Sequence, residues 1–485
     1  MKILVDTDIV LSLEPGCAND FGIHTYSALS LQRLGRKPGC SLWVHPVSID
    51  HVEMNYHGGR AHGIKEHMAD YGLVASCSPE SIFGSGQMGV PKKGSSDHAE
   101  NCLLAAVAAD TVDFFVTERS VLHRKARHLG LQTRVLFLGD AITLLEDLFG
   151  KTPMVRPEME RVPLSALGDK DPIFWADDLG DRFAQSREEG CDAIVVRLPG
   201  RSAIAGICVT KREGRVLTVC LLHVVPPYPV GRHGELLLKS VFDQALANQD
   251  KEIRLLAHVG EKSLAAFGEP FGFKSADPQN GLARPGYYKS LTWEQDRAEK
   301  LSPLEFHRCF GPLAVSFHGN LSWVLPLGPT CHQALFPELE EQLTLFPEPG
   351  PHGNFIRKAC LCHTTTKRLA PGDNLFIYRT RNGSGITAMG VVEETLVPSC
   401  PDEVVRYLGT RTVYTPAEIA DWFRKPLLAI KFRCVREFAE PLRLAALKKQ
   451  GVLKGAPRGV TGVKKEGIAW LGAKLELPLL LELGE

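Results

Sequence analysis

Ile3, Leu4 and Val5 form a short apolar run that ends in Asp6-Thr7-Asp8. Such a run, closed by turn-forming residues, predicts a buried strand of a parallel sheet with carboxylates at its carboxyl end. Patterns of the two periods then alternate to about residue 150. A Leu-spaced polar segment over 24–35 predicts a helix, 41–44 a strand, and the stretch from Ser48 a helix. A Gly/Lys/Ser loop over 84–96 leads to a helix over 97–109, a strand over 112–116 and a basic helix over 121–129. A strand over 135–138 and a helix over 141–149 close the series. This alternation predicts βαβ units around a mainly parallel sheet.

The middle of the chain reads differently. Strands are predicted over 191–197, 204–210 and 216–225, with the polar Lys211–Arg215 as a hairpin turn. A helix over 236–248 separates them from strands over 253–258 and 286–291. Residues 300–350, rich in Pro, Phe and His, predict a loop-heavy passage to a third region. There, strands over 359–364, 374–380, 386–393 and 427–435, with turns at Pro371-Gly-Asp373 and Asn382-Gly383, predict a small β-barrel with helical inserts. The expected fold class is α/β and α+β multidomain.

Length agrees, since 485 residues at roughly 150 per domain suggest three domains. Lys and Arg total 56 and Asp and Glu total 56, so any basic surface is local. No stretch approaches ~20 uninterrupted apolar residues, and the charged start is unlike a leader, so no membrane partner is expected. Thirteen cysteines, an odd number, read as reduced thiols and predict a cytoplasmic protein. Cys360-x-Cys362-His363, with Cys331-His332 upstream, lacks the spacing of a zinc knuckle.

The carboxylates carry the first candidate chemistry, because clustered oxygen ligands hold hard divalent cations. Asp6 follows the first strand, Asp50 lies after the second, and Glu118 ends the strand 112–116. Asp97 and Glu100, three apart, share a helix face, and the pair also fits a capping box. The order Val-Asp-Thr-Asp, a middle acid, an acid opening an Ala/Leu-rich helix and Val-Asp-Phe-Phe-Val-Thr-Glu118 resembles the PIN family of small nucleases, over residues 1–155. The resemblance implies an α/β/α sandwich whose catalytic residues Asp6, Asp50, Asp97 or Glu100, and Glu118 surround Mg²⁺ or Mn²⁺. Asp6, Asp50, Asp97 and Glu118 would be the ligands. The sequence departs from the family at Arg119, which stands where a further acid is usual. An arginine there repels metal and attracts phosphate.

Val225 closes a predicted strand, and Gly231, Arg232, His233 and Gly234 precede a predicted helix. Unsatisfied N–H groups and the helix dipole make such a place an anion site. Together with Phe271-Gly-Phe273 and the Gly286-Tyr-Tyr-Lys289 strand, it resembles the GNAT acetyltransferases over 165–295. The resemblance implies acetyl-CoA, its pyrophosphate held at those cofactor-binding residues, and Tyr287 or Tyr288 as the acid for the leaving thiolate. In the register that keeps Gly234 as the last glycine, Pro229 and Arg232 replace the family's Arg/Gln and first Gly.

Ile356-Arg-Lys, Leu361-Cys-His, Leu369-Ala-Pro-Gly-Asp, Leu375-Phe-Ile-Tyr-Arg and Met389-Gly-Val-Val-Glu resemble the PUA-like superfamily near its ASCH and EVE members, over 300–485. The resemblance implies RNA as partner, in a cleft lined by Arg357, Lys358, Tyr378, Arg379 and Arg381, where an aromatic ring and arginines suit unpaired bases. Lys448, Lys449, Lys454, Arg458, Lys464 and Lys465 form a further basic run. The three-part order resembles toxin-like RNA-metabolism factors that pair with a DNA-binding antitoxin. The expected function is a metal-dependent RNA endonuclease with an acetyl-CoA-binding domain. Alternatives are an acetyltransferase acting on tRNA, other RNA or a protein, and a non-catalytic partner-binding regulator.

Overall fold

The computed structural model describes residues 1–12, 25–75, 78–79, 83, 95–149, 158–167, 183–186, 189–197, 204–225, 230–256, 269–276, 286–339, 356–364, 366, 368–381, 384–411 and 413–481. The chain divides into two compact units, the first holding residues 1–151 with the short segments 226–230 and 405–410, the second the remainder.

In the first unit, β1 (Lys2–Val5), β2 (Ser41–Val44), β3 (Gly72–Leu73), β4 (Phe114–Val116) and β5 (Val135–Leu136) form a parallel sheet in the order β3-β2-β1-β4-β5. Ile3, Leu4 and Val5 are buried, as a central strand covered on both faces requires. Helices α1 (Thr7–Leu11), α2 (Thr25–Gly35), α3 (Pro46–Asn55), α4 (Gly58–Ala69), α5 (Ser96–Ala108), α6 (Ser120–His128) and α7 (Leu138–Phe149) accompany it. Helix α3 begins two residues earlier than its apolar spacing predicts, because Pro46 suits a first turn and the His45 ring accepts from Val47 N. The cap of α5 is Ser95, whose hydroxyl accepts from His98 N, so Asp97 and Glu100 do not form the capping box their spacing allows. Most of the expected 84–96 loop lies outside the described residues.

The second unit holds two larger sheets. Strands β6 (Glu158–Pro163), β7 (Asp192–Arg197), β8 (Ile204–Glu213), β9 (Val216–Val224), β10 (Glu252–Leu256), β11 (Lys274–Ala276) and β12 (Gly286–Ser290) run in the order β11-β12-β10-β9-β8-β7-β6. Every neighbour is antiparallel except β9 and β10, which the long helix α8 (Val230–Ala247) connects. The β8–β9 turn is shorter than the polar stretch 211–215 suggests: Glu213 pairs Val216, and Gly214 takes φ +60° at the first of two turn positions.

The last sheet contains β14 (Ser322–Leu327), β15 (Arg357–Cys362), β16 (Asn374–Arg379), β17 (Gly385–Leu396), β18 (Leu428–Arg443) and β19 (Thr461–Gly462), in the order β15-β18-β17-β16-β14-β19. Among the described residues its edges are β15 and β19, where the turn-rich pattern predicts a barrel. A small parallel pair, β13 (Val315–Ser316) and β20 (Leu479–Leu480), stands apart. Helices α9 (Pro303–Phe310), α10 (Pro329–Leu335), α11 (Leu444–Lys449) and α12 (Lys465–Leu475) complete the elements used below. The mixed α/β, multi-sheet organisation is the one the patterns predict. Among the described residues, no helix is long and apolar enough to cross a membrane.

Candidate functional site

At the carboxyl end of β1, Asp6 is buried and caps α1, its carboxylate accepting from Thr7 N at 2.8 Å and from the Thr117 hydroxyl at 2.5 Å. Burial pushes the Asp6 carboxyl up to about 6 against the opposing pull of Thr117. Arg119, just past β4, donates its backbone N–H to the Thr117 hydroxyl at 3.1 Å, and its charge acts on Asp6. The same guanidinium donates to one oxygen of the buried Glu100 carboxylate. Lys125 of α6 donates to the other oxygen at 2.6 Å and to Asp97 at 2.8 Å. The hydrogen bond from Lys125 holds the Asp97 carboxyl below its ordinary range.

The structure therefore gathers Asp6, Glu100 and Asp97 around Arg119 and Lys125. It does not bring in the other two acids. Glu118 accepts from Leu138 N at 2.8 Å, at the first residue of α7, and Asp50 is exposed on α3. Among the described residues, no three His, Cys, Asp or Glu side chains group to hold a metal ion. This corrects the expected ligand set Asp6, Asp50, Asp97 and Glu118. A hard dication needs several unoccupied oxygens, and here both Glu100 oxygens carry cationic donors while Asp6 sits where burial opposes its charge. The residues present do not fit Mg²⁺ or Mn²⁺.

In the middle sheet, α8 begins at Val230, not near residue 236, so Gly231, Arg232, His233 and Gly234 form its opening turns. The expected cofactor loop is thus mostly helix, and the His233 side chain is buried instead of facing an anion. Residues 226–229 lie outside the described residues. Val225 ends its strand segment by donating to Ala205 O at 2.9 Å. The last described β9–β10 pair is Val219 with Leu255; the described part of β10 ends at Leu256, and β9 runs on to Val224. Tyr288 lies on β12 opposite Arg254 of β10, so β10 stands between it and β9. The phenol lines a separate cavity of about 500 Å³ together with Trp293 and Phe310.

The third region rearranges its predicted cleft most. Tyr378 and Lys358 are core residues at 1% and 0% exposure, out of reach of a base in solution. The Lys358 ammonium donates to Leu335 O and lies 4.8 Å from the Phe336 ring centre. Arg357 donates to Glu235 of α8, and that carboxylate also accepts from the main-chain N–H of Ile356 at 3.0 Å and of Arg357 at 3.2 Å. Arg379 is half-buried, and Arg381 is exposed at φ +62° beyond β16. The expected five-residue cleft is therefore corrected: a stacking ring must be reachable, and Tyr378 packs with Phe376, Ile386 and Met389.

Sequence reading missed the charges that are buried here. Glu393 receives Arg411 and Arg433, and these partners hold its carboxyl well below the ordinary range although burial alone would raise it. The Arg433 and Arg357 guanidinium groups lie 5.1 and 5.7 Å from the Phe271 ring centre. Lys289 of β12 donates to Phe271 O at 2.8 Å and Cys309 O at 2.6 Å, and burial pushes its ammonium down to about 7. The available signal was a pair of cations, Lys431 and Arg433, alternating with Ile430 and Phe432 in an apolar strand.

No family model and no curated protein matches the chain. Among solved structures, it is similar to the ASCH protein from Zymomonas mobilis, at 15% identity over 33% of this chain and 97% of that one, with a TM-score of 0.26. It is also similar to the PaiA N-acetyltransferase from Thermoplasma acidophilum in complex with coenzyme A, at 14% identity over 28% of this chain and 99% of that one, TM-score 0.21. A third likeness is to the ribosomal-protein-S18-alanine N-acetyltransferase from Escherichia coli, at 16% identity, 27% and 91% coverage, TM-score 0.22. Likenesses of this size fix neither the fold nor the function of this chain.

Proposed function

We propose that the middle sheet is an acyl-CoA-dependent N-acyltransferase and that the nuclease expected of the first unit is not its activity. The observation that carries this reading is the short passage from β9, whose parallel partner is β10, to the first turn of the long helix α8. β9 ends at Val224 and α8 begins at Val230, with a glycine as its second residue. A pyrophosphate suits the unsatisfied N–H groups of a helix start. The N–H groups of Gly231, Arg232 and His233 would hold the anion, and Gly231 presents no side chain to obstruct it. Acetyl-CoA supplies an activated acyl thioester there. Tyr288, on β12 with β10 between it and β9, is left out of this assignment.

Isothermal titration of the full chain with acetyl-CoA tests the reading, with Gly231→Asp alongside. An acidic residue in the first turn favours the helix and repels a pyrophosphate, so the variant is expected to stay folded and lose binding. Absence of binding to the unsubstituted chain sinks the proposal.

RNA as partner rests on a different part of the surface from the predicted cleft. Between residues 444 and 475 stand seven Lys and Arg against the single acid Glu466, and all seven are exposed. In a chain of zero net charge, this is a local polycationic face carried by α11, α12 and the loop between them. Replacing Lys448 and Lys449 by Gln is expected to weaken RNA binding for all sequences alike and to lower the salt slope by about 1 per lost phosphate contact. A salt slope identical to that of the unsubstituted chain would remove these lysines from the interface.

A further inference from the structure

We infer that Arg119 and Lys125 are resident counter-cations that replace a divalent ion at the acidic end of the parallel sheet, leaving a latent metal site that Arg119 keeps closed. The inference starts from who holds whom. Glu100 is buried, and a buried carboxylate must be neutralised by a partner of opposite charge. It has two cationic partners, one on each oxygen, the Arg119 guanidinium and the Lys125 ammonium at 2.6 Å, and the Ser96 hydroxyl donates to it at 3.4 Å. Lys125 extends the pairing to Asp97 at 2.8 Å, and the Arg119 charge also acts on Asp6. Both acids paired to Lys125 come from α5, while Lys125 belongs to α6 and Arg119 is the residue before its first turn. Two organic cations thus do between adjacent helices what one dication does among carboxylates. They also exclude that dication, because it would have to displace both donors and then sit a few ångströms from two like charges.

Arg119 is the residue on which this choice turns. It touches both parts of the site, Glu100 directly and Asp6 through its charge and through its backbone bond to Thr117. Changing it to a carboxylate removes the blocking charge and adds an oxygen ligand beside Glu100 and Asp6. Once Lys125 is also neutral, Glu100 loses both partners and needs a cation.

The experiment uses the full chain and Mn²⁺ alone, with bound ion counted from the loss of the free-ion paramagnetic resonance signal and thermal melting measured in parallel. The unsubstituted protein is expected to bind no Mn²⁺ at this site, its melting unmoved by Mn²⁺ or EDTA. Arg119→Asp combined with Lys125→Met is expected to bind one ion saturably and to melt higher when it does, both effects being lost on adding Asp6→Asn. Arg119→Gln with Lys125→Met, which adds no acid, serves if the first variant fails to fold and is expected to bind Mn²⁺ more weakly. Saturable Mn²⁺ binding by the unsubstituted chain that Asp6→Asn removes would overturn the inference. So would folded variants of both kinds that take up no ion.

Discussion

Two groups of charges in this protein use the same residue types and do opposite things. Around Glu100 in the first unit, the central carboxylate is buried at 4% but its partners are partly wet: the Arg119 and Lys125 side chains keep 33% and 26% of their exposure, and the Asp97 side chain keeps 71%. Around Glu393 in the second unit, water is nearly gone: the Glu393, Arg411 and Arg433 side chains keep 11%, 9% and 4%. Charges that still see water exchange partners cheaply, because solvent takes over whatever a partner releases. Charges withdrawn from water are fixed by their partners, and losing one strands the other. The first arrangement suits a surface whose ionic chemistry can be rewritten. The second holds the position of β18 against β17 and of both against Phe271.

The contrast is tested most severely at Glu393. Glu393→Ala leaves Arg411 and Arg433 buried without their carboxylate and is expected to cost about 3–5 kcal/mol, measured by urea denaturation of the full chain. A loss below about 1 kcal/mol would mean that the second cluster is as replaceable as the first.

A pH titration of stability probes the same region through Lys289. Burial depresses its folded value to about 7, below the ordinary 10.5 of lysine, with Arg433 adding to the effect. Between those values the unfolded chain binds a proton that the folded chain does not, so stability is expected to rise with pH from about 7 towards 10.5. Lys289→Met should flatten that rise, and a profile unchanged by the substitution refutes the assignment.

In the first unit the largest effect belongs to Asp6, and its sign is reversed. Its folded value is raised to about 6, so at pH 7 it is charged in both states and the folded state bears the cost of burial. Asp6→Asn is expected to stabilise the unit by about 1–3 kcal/mol at neutral pH, with the gain shrinking below pH 6 as the native carboxyl takes its proton. Hydrogen exchange of the β1 and β4 amides reads this out, and faster exchange at pH 7 would contradict it. The smallest change is expected at Asp97, whose exposed pairing with Lys125 leaves Glu100 and Lys125 still joined. Asp97→Ala should leave the melting temperature within experimental error, and a clear drop would show the first cluster to be more rigid than its exposure implies.

The parts of this architecture that are legible in the sequence are those set by hydrophobic period. Ile3-Leu4-Val5, the Phe114–Val116 strand and the apolar spacing of α8 from Leu236 onward each carry a local signal that tertiary packing reinforces. The start of α8 is not legible, because Gly231 and Gly234 are poor helix formers and only the surrounding fold commits them. Partners are harder still. Glu118 reads as a strand-end ligand, but its carboxylate is closer to the N–H that opens α7 than to the other acids it was grouped with. Lys358 and Tyr378 read as a basic, aromatic cleft, and alternation places both inward. Glu235 carries no signal of its own in the sequence, and nothing within a hundred residues of it announces Arg357.

The clamp at Glu235 bears on how this chain can be cut and inherited. One carboxylate on the helix of the middle sheet accepts from two successive main-chain amides and the guanidinium of a strand more than a hundred residues away. A truncation placed anywhere between them separates the buried Glu235 carboxylate from the guanidinium and the two amides that neutralise it. A recombination that exchanged only one of the two regions would have to bring a matching arginine or lose the glutamate in the same step. Residues 230–443 are thus expected to travel through gene rearrangement as one block, whatever is gained or lost ahead of them.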